Sequence, residues 1–152
     1  MDVATGYNEE EVKMIKETAK IFAGSAAAKK WPNVGPTPTA PFGIAATCIR
    51  VPTLRAHCES INITTRKPIT PERARELISK APGVKVMDDR ANNKFPEPID
   101  ASDKDDVLVG RLRNDLSLKN PQLGLEMFVS GDQIRKGAAL NGIQIMEYLV
   151  SR

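Results

Sequence analysis

Pro32, Pro36, Pro38 and Pro41 fall within ten residues. Each ring fixes φ and removes a backbone donor, so neither a helix nor a central strand can run through that stretch. The Gly-, Pro-, Ala- and Lys-rich segment 25–43 therefore reads as a loop of nearly twenty residues. A loop of that length inside a compact domain usually carries function or disorder. Its presence isolates one leading helix from the rest of the chain. Asn8 can cap that helix, Glu9, Glu10 and Glu11 suit the positive end of its dipole, and Glu11 stands at the capping-box position. Val12, Ile15, Ala19 and Phe22 recur at helical spacing, and Gly24 supplies the stop.

Beyond the loop, Ala45 to Val51 is apolar and β-branched, and His57 to Thr65 alternates with Ile61 and Ile63 on one face. Thr70-Pro71-Glu72 opens a second helix reaching about Lys80. Val84 to Met87, Asp106 to Arg113 and Leu125 to Ser130 read as strands, with a polar, turn-rich stretch over 88–98. Asp132 caps a final helix from about Gln133 to Val150, with Ile134, Ala138, Ile145 and Leu149 on one stripe. This order predicts an α+β fold with a mostly antiparallel or mixed sheet and helices on one face.

The 152 residues make one domain's worth of chain, and 41% hydrophobic with 27% charged residues excludes wholesale disorder. No apolar run approaches the about 18 residues of a membrane span, and no secretory signal opens the chain. Basic and acidic residues, 22 against 19, are interspersed. The only cationic cluster beside an aromatic, Lys29, Lys30 and Trp31, is too short to track a phosphate backbone, so neither nucleic acid nor membrane is an expected partner. Cys48 and Cys58 have neither CxxC spacing nor a companion histidine pair, so no metal site is expected, and a reducing, cytoplasmic compartment is.

Chemistry concentrates in ATCIRVPTLRAHCESINI, residues 46–63, which holds the single histidine, His57, seven positions after Arg50. On one straight strand the two would lie about 23 Å apart on opposite faces. A reversal between Pro52 and Ala56 would let them converge. An Arg fork could then grip a carboxylate while imidazole moves a proton. Spacing alone favours the plainer alternative, a strand-end charge and a hydrogen-bonded hairpin histidine. Glu10 and Lys13 share a helix face and could present a carboxylate and an ammonium to one ligand, although spacing alone favours a simple salt bridge. Cys58 neighbours His57, but adjacent strand residues point to opposite faces, so both cysteines read as packed thiols.

The segments NEEEVKMIKETAKI, ATCIRVPTLRAH, DVLVGRLRND and FVSGDQIRKGAALNGIQIMEYL, in this order, resemble the C-terminal part of aspartate-semialdehyde dehydrogenase from about Asn8 to Leu149. RVPxLRxH combined with GDQxRKGAA carries most of the specificity. That family joins an NADP-binding Rossmann domain to a substrate-binding and dimerisation domain similar to the catalytic domain of glyceraldehyde-3-phosphate dehydrogenase. A cysteine thiolate attacks aspartyl phosphate, phosphate leaves, and NADPH reduces the thioester to aspartate semialdehyde. The resemblance implies His57 as general acid/base, Arg50 as carboxylate clamp, Glu10 facing the substrate amine, Lys13 facing phosphate and Gln133 near the cofactor.

No Gly-rich phosphate loop occurs, and neither cysteine matches the family's nucleophile. The resemblance therefore implies a partial substrate-binding and dimerisation domain over 8–131, and a segment 132–152 that packs on an absent Rossmann domain. It further implies a dimer or tetramer, a chain without turnover when alone, and apolar surface left open to self-association. A related reductase acting on malonyl-CoA or an N-acetylglutamyl phosphate, and a non-catalytic dimerisation or regulatory partner, are the alternatives.

Overall fold

Reciprocal capping starts the first helix where the sequence places it. The Asn8 side chain accepts from the Glu11 N–H and the Glu11 carboxylate accepts from the Asn8 N–H, each at 2.9 Å. This closes two of the donors a helix start leaves open. Helix α1 then runs over Glu9–Ala23. The computed structural model describes residues 6–23 and 42–151, so most of the expected loop, with Gly24, lies outside the described residues. The chain forms two compact units dividing between Pro52 and Thr53.

In the first unit, residues 43–51 take no regular secondary structure. The Ala45–Val51 strand expected from β-branched composition does not form, because side-chain propensity supplies no ladder partner. What holds the segment is α1. Glu11 Oε1 accepts from the Cys48 N–H at 2.8 Å, the Cys48 thiol meets Met14 Sδ at 3.4 Å, and Phe22 and Phe42 stack edge to face at 5.0 Å.

The second unit is a four-stranded mixed sheet in the order β1-β4-β3-β2. Its strands are β1 (His57–Thr64), β2 (Val84–Val86), β3 (Val107–Asn114) and β4 (Gly124–Gly131). The β1–β4 and β3–β4 pairs are antiparallel and β2–β3 is parallel, the mixed α+β arrangement that the order of elements predicts. Helix α2 (Pro71–Ser79) begins at Thr70, whose hydroxyl accepts from the Arg73 N–H. It lays Ala74 on a core of Val109, Leu112 and Leu125. A second, smaller cluster joins Ala56 and Leu108 to Ala101 of the one-turn helix α3 (Pro98–Ala101).

Between Gly110 and Arg113 the β3–β4 register shifts by a bulge, with Arg111 at φ 54. The buried carboxylate of Asp88 secures it by accepting from the Arg111 N–H at 2.9 Å while pairing with Arg75.

The final helix departs from a single α-helical run. Residues Arg135–Ala139 form a π-helical turn, and only Leu140–Val150 (α4) is α-helical. No residue of α4 is buried, and Ile143, Ile145, Met146 and Leu149 are all at least half exposed. Among the described residues, no helix is long and apolar enough to cross a membrane.

Candidate functional site

Glu10, Lys13 and Arg50 belong to the first unit, His57 and Gln133 to the second. On α1, Lys13 Nζ and Glu10 Oε2 are 3.8 Å apart with both side chains more than half exposed. A pair so open contributes little to stability, which leaves both charges available to a ligand. Arg50 is exposed on the segment that Glu11 holds through Cys48. Glu11 is itself buried, and the N–H groups of Asn8 and Cys48 lower its pKa against the opposing effect of burial.

His57 is the first residue of β1, exposed and in register with Gly131 at the end of β4. The next residue, Cys58, pairs with Ser130 on the opposite face, and its thiol lies 3.3 Å from the Ser130 hydroxyl. The expectation that Cys58 is poorly placed beside the imidazole follows from this alternation.

The chain enters β1 through an unusual step. Ala56 is buried with φ 76, a left-handed conformation that an alanine seldom adopts. Its N–H donates to Gln133 Oε1 at 2.7 Å. Gln133 therefore touches the residue before His57, across the β1–β4 pair. With its oxygen engaged, the carboxamide NH2 is the group it can turn toward a ligand.

Beneath lies a charged cluster. Asp132 has no exposed side-chain surface, and its Oδ2 lies 2.6 Å from Arg55 Nε, an ion pair whose N–H is not aimed as a hydrogen bond. The same oxygen accepts from the Asp103 N–H at 2.7 Å. Oδ1 accepts from the N–H groups of Ile134 and Arg135 at 2.9 and 3.1 Å, the capping expected of Asp132. Burial raises its pKa. The Asp103 N–H, Arg55 and the two capping N–H groups outweigh burial and hold the carboxyl well below its ordinary value. Arg55 also reaches Asp103 at 3.2 Å, and Arg135 ties Asp105 to the same cluster.

Arg55 and Asp103 were not among the residues the sequence singles out, although Arg55 lies inside RVPTLRAH. Among the described residues, no group of three or more His, Cys, Asp or Glu side chains could hold a metal ion. A cavity of about 500 Å³ lined by Pro71, Arg90, Arg113 and Asp115 includes none of the five candidate residues.

The same fold recurs in known proteins. A family model described as "Semialdehyde dehydrogenase, dimerisation domain" matches residues 1–136. The chain belongs to the semialdehyde dehydrogenase family, whose dimerisation domain it matches. Aspartate-semialdehyde dehydrogenase of Synechocystis sp. is 49% identical over 149 residues, which are 98% of this chain and 39% of that protein. The Prochlorococcus marinus enzyme is 50% identical, over 98% of this chain and 38% of its own. Among solved structures, aspartate semialdehyde dehydrogenase II of Vibrio cholerae complexed with ASA matches with a TM-score of 0.72 and 36% identity, covering 99% of this chain and 38% of that one. The chain thus spans under two-fifths of the length of these relatives, and it matches the dimerisation domain of the semialdehyde dehydrogenases.

Proposed function

We propose that this chain is the substrate-binding and dimerisation portion of an NADP-dependent aspartate-semialdehyde dehydrogenase, contributing the acid–base histidine and the substrate clamp. The observation that carries this reading is His57, exposed at the mouth of β1 with Gln133 fastened to its neighbouring residue, in a domain of this family. The Arg50 fork holds the substrate carboxylate in two parallel hydrogen bonds. The imidazole takes up and returns the proton that an attacking thiol releases. Glu10 meets the substrate ammonium and Lys13 the phosphate, each a charge of opposite sign to the side chain that α1 presents.

Hydride, when NADPH is bound, comes from its nicotinamide. The donor set fits only an edge contact to that cofactor, because Gln133 offers one NH2 group and the sequence holds no Gly-rich phosphate loop. Residues 8–131 are read as the partial substrate-binding and dimerisation domain, and 132–152 as the segment that packs on the Rossmann domain, which the open apolar surface of α4 favours. Pairing of two copies follows from the dimerisation domain. Two free thiols suit a reducing compartment such as the cytoplasm. Relatives that are aspartate-semialdehyde dehydrogenases, together with the Glu10–Lys13 pair, favour aspartyl phosphate over malonyl-CoA or an N-acetylglutamyl phosphate.

The test is a hybrid in which this chain replaces the matching segment of the Synechocystis relative. The hybrid should reduce NADP in the presence of aspartate semialdehyde and phosphate, and His57→Ala should lower kcat at least about 100-fold, the usual scale for losing a general acid–base group. The 152-residue chain alone should show no turnover in the same assay. A hybrid that assembles as a dimer yet keeps full turnover with His57→Ala overturns the assignment.

A further inference from the structure

We propose that Asp132 and Gln133 act as positioning residues, a two-point clamp that sets the direction of the imidazole of His57; this rests on the reading of His57 as the acid–base group. Two consecutive residues that directly follow β4 hold the two consecutive residues that precede His57. Gln133 takes the N–H of Ala56, and Asp132 takes the guanidinium of Arg55. Ala56 is held with φ 76 between these contacts. Without the Gln133 oxygen, the local preference of an alanine is negative φ. Relaxation to it would rotate the peptide leading into His57 and re-aim the ring.

Asp132 extends the clamp in a second direction. One oxygen holds Arg55 and the Asp103 N–H, while the other caps the N–H groups of Ile134 and Arg135. A single buried carboxylate therefore joins the approach to His57 to the start of the C-terminal helical segment. Displacement of that segment reaches the imidazole through Asp132. Being buried, ionised and fully partnered, Asp132 cannot exchange a proton with substrate, so its contribution runs through His57 alone.

The single histidine makes this readable, because the ring of His57 gives one set of NMR signals in the 152-residue chain. In Gln133→Ala and Asp132→Asn, the His57 ring and the amides of Ala56 and His57 should shift or broaden, while the methyl signals of Ala74 and Leu125 stay in place. If Asp132→Asn unfolds the chain, Gln133→Ala, which removes an uncharged carboxamide and no buried charge, decides. In the hybrid enzyme, Arg55→Ala should lower kcat about tenfold with KM within about threefold, and Arg55→Lys, which keeps the charge, should recover part of it. Folded Gln133→Ala with His57 signals superposable on the original, or Arg55→Ala with unchanged kcat, overturns the proposal. Full turnover of His57→Ala would instead sink the functional reading, while the NMR comparison would still report whether the clamp exists.

Discussion

Ala56 illustrates how much one backbone angle can govern. Its φ of 76 is strained for any residue with a Cβ, at about 1–2 kcal/mol. Ala56→Gly would relieve that strain, but it would add about 0.5–1 kcal/mol of backbone entropy and remove a buried methyl worth about 0.8 kcal/mol. The expected net change in unfolding free energy is within about 1 kcal/mol of zero. Ala56→Val, by contrast, places a β-branched side chain at positive φ in a buried position and should destabilise by about 1–3 kcal/mol. Urea unfolding of the two variants checks the pair; a valine variant as stable as the glycine one would contradict the strain. Gly110 is a residue of a different kind. A Cβ there would run into the Met87 carbonyl oxygen and lie 2.6 Å from Pro96 Cδ, so its requirement is space rather than angle.

Elements show which signals in a sequence are self-contained. The Asn8–Glu11 box and the Thr70-Pro71 start are legible because capping is decided within four residues. Thr70→Ala should therefore cost about 1 kcal/mol, read as a lower urea midpoint with an unchanged slope. The four strands of the sheet were legible from alternation and β-branched runs, with their ends shifted by at most one residue. Residues 43–51 carry the same composition and form no strand, because pairing depends on a partner that local sequence does not encode. The Arg55–Asp132 and Ala56–Gln133 contacts were out of reach for a related reason. They span 77 residues of chain, and nothing local distinguishes an Arg at the start of a network from an Arg on a surface. Capping by Asp132 was legible; that its other oxygen serves Arg55 was not.

At the scale of the whole molecule, buried and capping carboxylates make the fold acid-sensitive. Glu11, Asp115 and Asp132 all have pKa values lowered in the folded state. A depressed carboxyl contributes stability above its unfolded value, and that stability is lost as pH falls toward the folded value. The ordinary values are 3.8 for Asp and 4.5 for Glu, so the loss should begin below these. The urea midpoint should fall as pH drops below about 4.5 toward about 3, and Asp132→Asn should flatten that dependence. A midpoint indifferent to pH over this range would contradict the assigned directions.

The π-helical turn over Arg135–Ala139 reaches furthest beyond its own residues. Relative to a plain α-helix it inserts one residue's worth of winding, about 100° of rotation. Ile134 and Ala138 stand before or within it, Ile145 and Leu149 after it. Ile145 and Leu149 are therefore turned by about a right angle from Ile134 and Ala138, off the single line their spacing suggests. A flat surface can meet only one of the two pairs. Whatever covers this end of the chain has to curl around it.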